Sequence, residues 1–406
     1  MRILMINKYH HITGGADTYY FQLTDLLRRK GHKVIEFCLS HPKNLTSEYS
    51  KYFISGLTHE NWKEASAIEK VKAYVHAVYN LEARKKIKLL IEETKPDIAH
   101  LHNIFYQISP SILEPLKKAH IPIIQTLHDY QVICASNNFY HNGKICENCS
   151  KGKFYNIISN RCYNNSLIAS FLAFSARIIH NTFKIYNQNV DLFISPSRFL
   201  KDKLISCGIK ESKIKVLPHL VDLNNYKADY NFGDYVVFAG RFVRYKGIMT
   251  LIKAFESLPI KLVLLGTGGL LTEIEEYIAK HNLQNIKLSG FLKGEKFYKI
   301  IKGARFVVVP SEWYENSPLI IFESFACGKP VIASDIGAIP EMATKEVSLL
   351  FAPGDVDDLR EKVRALYYNE ELIKVLGRNA RKKVEDLFDP ETHYKKIIGL
   401  YSDLVS

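Results

Sequence analysis

No stretch of this 406-residue chain reaches the roughly 18–20 consecutive apolar residues that a membrane-spanning helix requires. That excludes a helical membrane channel or transporter. The opening Met-Arg-Ile-Leu-Met-Ile-Asn-Lys is too short for the apolar core of a secretion signal and is predicted to be a first buried strand, so the expected location is cytoplasmic. The G-x-G-x-x-G spacing of a dinucleotide-binding turn is missing, which disfavours an NAD dehydrogenase. Zinc-finger, KH and RNP signatures are also lacking, so nucleic acid is not an expected partner. Seven cysteines are an odd set, and without a secretion signal they do not read as a disulfide framework.

What the chain does have is 47% hydrophobic and 24% charged residues, the composition of a globular protein, in a length that suits two to three domains. Acidic residues are short in one half only. Residues 1–216 carry 30 Lys/Arg against 17 Asp/Glu, whereas residues 217–406 carry 25 of each. The whole excess of +13 therefore sits in the first half, where it suits phosphate groups or an anionic membrane surface, or simply reflects a lysine-rich composition. Four of the cysteines, Cys134, Cys146, Cys149 and Cys162, crowd together, and Cys146-x-x-Cys149 has zinc-knuckle spacing. The polar, Asn/Gly-rich stretch around them cannot build a core of its own. A structural zinc would staple it, and four reduced thiols in a loop are the alternative.

Short apolar runs alternate with helical patterns along most of the chain. Strands are predicted at Ile3–Ile6, Val34–Cys38, Ile98–Leu101, Ile121–Leu127, Leu192–Ile194 and Ile214–Leu217. The second set is Tyr235–Phe238, Lys261–Leu265, Ile286–Ser289, Phe306–Val309, Val331–Ala333 and Leu349–Phe351. Near-continuous apolar strands separated by helices indicate parallel sheets buried on both faces. The fold class is therefore α/β, with two doubly wound domains, 1–222 and 223–389, joined at a polar seam over Leu223–Gly233. The first carries the Cys-rich insert 134–162, and a terminal helix over 390–406 is expected to pack back onto it. In such sheets ligands bind at the carboxyl ends of the strands.

The motifs fall at those ends. Glu315-Asn316-Ser317-Pro318-Leu319 opens a predicted helix at 318–327 that stops at Gly328, with Asn316 or Ser317 as N-cap and Pro318 in the first turn. Glu323 lies eight positions after Glu315. A helix start is an anion site, and a carboxylate on either side of it can accept paired hydroxyl protons. A nucleotide-sugar has that layout, hydroxyls on both sides of a diphosphate, although an amphipathic helix with two solvated glutamates would read the same way. Arg241 and Lys246 lie in the turn Gly240–Gly247 after the first strand of the second domain, where two cations suit a diphosphate as well as they suit solvent. Gly266 ends the next strand in Gly266-Thr267-Gly268-Gly269. Gly14-Gly15 follow the first strand of the chain and fit either close approach to phosphate or a plain βα turn. His102 and His128 end two other strands and are candidates for contact with sugar hydroxyls, or else hydrogen-bonded core histidines.

Together, the glycine pair, Thr126-Leu127-His128-Asp129-Tyr130, Ser195-Pro196-Ser197, Pro218-x-x-x-Asp222, Gly240-Arg241…Lys246-Gly247 and Trp313-Tyr314-Glu315-Asn316-Ser317-Pro318…Glu323…Cys327-Gly328-Lys329-Pro330 resemble family 4 retaining glycosyltransferases of the GT-B fold, of the bacterial polysaccharide and lipid-linked glycan type. The resemblance covers nearly the whole chain. It implies two facing Rossmann-like domains and transfer of a hexose-type sugar from a nucleoside-diphosphate sugar, UDP- before GDP-, with retention and without a required metal. It further implies that Arg241 and Lys246 neutralise the leaving diphosphate, that Glu323 holds the ribose, and that Glu315 holds the donor sugar. Backbone N–H groups at Asn316–Leu319 would bind phosphate, Gly14-Gly15 would close over it, and His128 would sit by the reacting sugar. The acceptor would be a glycan or a lipid-linked sugar. Two departures matter: many members lack the Cys-rich insert, and Asp17 stands near where many have Glu, so no role is carried onto it. A sugar-nucleotide epimerase of similar architecture and a non-catalytic sugar-nucleotide or lipid-binding module are the alternatives. Finally, Ser166–Tyr186 is apolar with Arg177, His180 and Lys184 at helical spacing. It is predicted to lie in a membrane interface with the basic stripe toward lipid phosphate, or else to be a core helix with a wet edge.

Overall fold

The computed structural model describes every residue except His59, Glu60, Trp62, Lys63, Asn164, Asp222, Asn224 and Asn225. Asp222, the last residue of the Pro218 motif and of the first expected domain, thus lies outside the described residues. The chain divides into two compact units. The first comprises Met1–Phe139, Glu147–Leu220 and Pro390–Ser406; the second comprises Tyr140–Cys146 and Val221–Asp389. The second unit therefore takes seven residues from the middle of the Cys-rich stretch, which the sequence assigns wholly to the first.

In the first unit, strands β1 (Arg2–Ile6), β2 (Lys33–Phe37), β3 (Ile98–Leu101), β4 (Ile123–Thr126), β7 (Leu192–Ser195) and β8 (Ile214–Val216) form one sheet in the order β2-β1-β3-β4-β7-β8. All its pairings are parallel. Between them, β5 (Tyr140–His141) and β6 (Lys144–Ile145) make a separate antiparallel hairpin. In the second unit, β9 (Tyr235–Ala239), β10 (Lys261–Leu265), β11 (Ile286–Leu288), β12 (Val307–Val309), β13 (Val331–Ser334) and β14 (Ser348–Phe351) form a second parallel sheet, ordered β11-β10-β9-β12-β13-β14. Runs such as Val307-Val308-Val309 and Val331-Ile332-Ala333 are buried throughout, as strands covered by helices on both faces must be.

Helices flank each sheet for the usual reasons of pattern and punctuation. Gly15–Arg29 buries Tyr19, Tyr20, Leu23, Leu26 and Leu27 at three- and four-residue spacing, carries Arg28 and Arg29 in its last turn, and is followed by Gly31 at φ +82°. The last helix, Pro390–Val405, packs in the core of the first unit. Ile397 and Tyr401 are fully buried there, and Tyr19, His32 and His100 hydrogen-bond His393, Tyr394 and Tyr401 at 3.2, 2.9 and 2.6 Å.

Candidate functional site

The strand order of the second sheet decides where its loops meet. Connections run one way from β9 to β11 and the other way from β12 to β14, so the reversal lies between the neighbours β9 and β12. A crevice opens at the carboxyl ends of such a pair. The loop leaving β9 carries Arg241 and Lys246, and the loop leaving β12 carries Ser311, Trp313 and Glu315. Gly247 lets the two loops pass: it sits at φ +66°, and a Cβ there would lie 1.7 Å from the Pro310 carbonyl oxygen. The Lys246 Nζ consequently reaches 2.6 Å from Glu315 Oε1, and the Ser311 hydroxyl donates to the same oxygen at 2.6 Å. Glu315 is buried, its side chain 5% exposed, while that of Lys246 is 22% exposed. A charge-assisted pair so placed holds both side chains in one geometry. From behind, Ala338 N donates to the Glu315 carbonyl at 2.9 Å. The neighbouring Gly337, at φ +61°, leaves no room for a Cβ, which would sit 2.8 Å from both N and O of Glu315.

The helix after Glu315 starts one residue later than its sequence suggests. It spans Leu319–Ala326, and the N-cap position is taken by Pro318, at φ −71°, ψ 104°, and not by Asn316 or Ser317; the proline side chain offers no capping acceptor. The helix presents a positively polarised end shortly after Glu315. The Ser317 hydroxyl beside it is buried without a hydrogen-bond partner among the described residues. Glu323 projects from the second turn. The Tyr226 hydroxyl donates to its Oε1 at 3.2 Å, and Tyr298 lies 3.1 Å behind Tyr226. Burial pushes the Glu323 carboxyl up to about 7, against the lowering effect of the Tyr226 hydrogen bond.

The structure thus joins Lys246 to Glu315, and sets Glu323 on the helix that follows. Arg241 is exposed and, among the described residues, makes no side-chain hydrogen bond or ion pair. Gly266 has a packing reason of its own: at φ +145° a Cβ would lie 1.9 Å from the Gly240 carbonyl. Ser311, Tyr226, Tyr298 and Gly337 escaped the sequence reading. Ser311 had a signal, standing four positions before Glu315 in the same loop, whereas Tyr226 is 97 positions from its partner and had none.

In the first unit, Gly14 is exposed, extended at φ −174°, with open space around a would-be Cβ. Its loop is tied down by the buried Asp17, which accepts from Asn7 Nδ2 at 2.9 Å and from Thr13 N and Oγ1 at 3.0 and 2.5 Å. Asp17 is accordingly structural. His128 stands in a column of imidazoles. His100 stacks on His102, His102 on His128, and His128 on His219, with centroids 4.5, 5.2 and 4.9 Å apart. His128 Nε2 and His102 Nδ1 are 2.9 Å apart, so one carries the proton and the other accepts. Burial holds His100 and His128 down at about 3, so the column is neutral at pH 7. His128 Nδ1, His102 Nε2 and His219 Nε2 have no partner among the described residues. The sequence reading missed His100 and His219.

Among the described residues no group of three or more His, Cys, Asp or Glu is placed to hold a metal ion. The Cys134 thiol lies 3.3 Å from Ser136 Oγ, and the Cys162 thiol points at the Asn156 carbonyl at 3.8 Å. Cys146, which follows the hairpin β5–β6, is grouped with the second unit, and Cys134, Cys149 and Cys162 with the first.

The sequence matches the family described as "Glycosyltransferase Family 4" over residues 13–225 and "Glycosyl transferases group 1" over residues 227–383. It is similar to an uncharacterised glycosyltransferase of Methanocaldococcus jannaschii, 29% identical over 94% of this chain and 92% of the relative. An Escherichia coli O-antigen chain mannosyltransferase is 26% identical over 42% of this chain and 47% of its own. Among solved structures, the Anabaena protein HepE, crystallised with UDP, superposes with a TM-score of 0.69 at 18% identity, covering 99% of this chain and 100% of its own.

Proposed function

Since the chain belongs to the family 4, group 1 glycosyltransferases and has their GT-B fold, we propose that it moves a hexose-type sugar, with retention, from a nucleoside-diphosphate sugar to a glycan or lipid-linked acceptor in polysaccharide assembly. UDP is the favoured nucleotide, and GDP is second. The observation that carries this reading is the Lys246–Glu315 pair beside the start of helix Leu319–Ala326. A leaving diphosphate gains negative charge as the glycosidic bond breaks. Lys246, the unpaired Arg241 and the helix N–H groups stabilise that charge without having to reorganise. Glu323, when ionised, accepts the two ribose hydroxyls, and Glu315 accepts from the donor sugar while Lys246 and Ser311 fix its orientation. In the first unit, the proposal assigns Gly14-Gly15 to phosphate and His128 to the reacting sugar. A neutral His128 with a bare Nδ1 suits exchange of a hydrogen bond with a hydroxyl and not neutralisation of charge. No metal is required by this reading.

Saturation-transfer NMR with UDP-, GDP- and ADP-sugars is the test. Transfer to the ribose and sugar protons of a UDP-sugar is expected, and a panel in which no nucleotide-sugar binds would undo the proposal. The anomeric proton coupling of the product then reports retention.

The acceptor side of the proposal includes an anionic membrane surface. In helix Leu167–Thr182 only Ala169 and Ser170 are buried, so it is not a core helix. Of the basic stripe, Lys184 lies beyond the helix and is exposed, whereas Arg177 and His180 do not face outward as the sequence suggested. Arg177 donates to the Gln131 and Val132 carbonyls and His180 contacts the Val78 carbonyl at 3.0 Å, so both are spent on backbone acceptors. The exposed face is instead apolar. Ile168 (74%), Leu167 and Phe171 are exposed on it, and Phe183 (66%) just after it; the helix packs against helix Ala67–Val78, which exposes Ile68 (81%), Val71 and Val75 at three- and four-residue spacing. Such a ledge on the basic half of the chain fits partial insertion beneath anionic headgroups. Vesicles with phosphatidylglycerol should co-sediment the protein more than vesicles of phosphatidylcholine alone. Ile168→Ser with Phe171→Ser should weaken that binding about tenfold or more. Equal recovery of both proteins, or self-association of the wild type without lipid capture, would reassign the ledge.

A further inference from the structure

The hairpin β5–β6 leaves the unit that its neighbours in sequence belong to and joins the second one. Its turn, Asn142-Gly143, has φ +48° and +79°, the two left-handed residues of a tight hairpin turn, which fixes Tyr140 opposite Ile145. The Tyr140 ring lies edge-on to Tyr245, with centroids 5.8 Å apart and planes at 66°. Tyr245 is tilted against Trp313 at 4.8 Å, and Lys246 Nζ lies 5.3 Å above the Trp313 ring. Three partly exposed rings thus run up to the Lys246–Glu315 pair.

The last ring carries an unexplained atom. Trp313 Nε1 is buried and has no hydrogen-bond partner among the described residues. An indole N–H can only donate, and leaving it unpaired in a covered position is costly. Buried orphans of this kind call for a missing partner. A sugar ring supplies both halves of what is lacking: an apolar face of C–H groups for the aromatic surface, and hydroxyl oxygens for the indole N–H. We propose that Tyr140, Tyr245 and Trp313 form a subsite for a pyranose ring, with the Trp313 N–H donating to one of its hydroxyls and the hairpin delivering Tyr140 as its outer wall. The inference rests on the transferase reading above and deepens it. The ring belongs either to the donor or to the acceptor, and the same chemistry serves both.

Trp313 fluorescence, taken as the difference between the protein and its Trp313→Phe variant, reads occupancy directly. The probes are UDP, UDP-glucose, UDP-galactose, UDP-N-acetylglucosamine and the corresponding methyl glycosides. A response to a UDP-sugar that UDP alone does not give assigns the ring to the donor, and a response to a methyl glycoside in the presence of UDP assigns it to the acceptor. Either supports the subsite. Tyr140→Ala should then weaken the responding probe about 3–10-fold, and Tyr140→Phe, which keeps the ring, should restore it. No response from any sugar, or equal affinity in the Tyr140→Ala protein, overturns the subsite. Calorimetric binding of UDP in that same sample would leave the transferase reading standing, whereas absence of UDP binding would count against that reading separately.

Discussion

Arg241→Ala is expected to lower kcat/KM by about 10²–10³-fold while leaving the thermal midpoint within about 2 °C of the wild type. The two effects separate because of what the side chain touches. Arg241 is exposed and spends its guanidinium on nothing within the described chain, so its removal breaks no contact on which folding depends. Lys246→Ala should cost a similar factor in rate and also destabilise the second unit. Its partner Glu315 has a side chain only 5% exposed and would lose its cation while keeping the Ser311 hydroxyl as a donor. Truncating one member of a buried pair strands the other charge. Here the cost is on the order of 2–4 kcal/mol, below the fully buried range because Lys246 is partly wet. Changing both, Lys246→Met with Glu315→Gln, should restore the midpoint but not the rate. Steady-state kinetics with the donor found by NMR, together with scanning calorimetry, measure all three. An Arg241→Ala enzyme of wild-type rate would remove that residue from the diphosphate. A midpoint loss in Arg241→Ala matching that in Lys246→Ala would mean that both cations are structural.

Much of this arrangement was readable before any coordinates, and the reason is periodicity. Twelve strands announce themselves as apolar runs because both faces of each sheet are covered, and Val307-Val308-Val309 has few other uses. Once strands and helices alternate, the ends of β9 and β12 are where charged motifs matter, so the meeting of Lys246 with Glu315 follows from their positions. Three kinds of residue were not readable in this way. Tyr226 and Gly337 act on Glu323 and Glu315 across long stretches of chain, and nothing local marks them. Arg177 and His180 look like a lipid-facing stripe because spacing gives a helix face but not its direction. They turn inward to backbone carbonyls that only the fold brings near. Tyr140 sits in a strand two residues long, too short for any alternation. The Asn142-Gly143 turn was the available sign of a hairpin, but nothing in it says which unit the hairpin joins.

Glu323→Gln should raise stability and lower donor affinity in the same protein, with opposite weights at different pH. Burial lifts the Glu323 carboxyl to about 7 from an ordinary value of 4.5. Between those two values the folded chain holds a proton that the unfolded chain has released. Stability from this group is therefore fully present below about 4.5 and is lost as pH rises through about 7. At pH 8 the wild type carries the cost of a covered carboxylate, on the order of 1–2 kcal/mol after allowing for partial exposure. The neutral amide avoids it, and its midpoint should lie roughly 2–8 °C higher there, converging with the wild type near pH 5. Binding runs the other way. Only the ionised carboxylate accepts from two hydroxyls at once, so the wild-type KM for the donor should fall as pH rises from 6 to 8. The amide should show a KM about 10–100-fold higher and indifferent to pH over that range. Tyr226→Phe removes the hydrogen bond that favours the charged form and should move the acid limb of the KM profile upward without abolishing binding. If Glu323→Gln instead melts lower at pH 8 than the wild type, the carboxylate is held by partners that stabilise its charge. A group already satisfied in that way would have no lone pairs to offer a ribose.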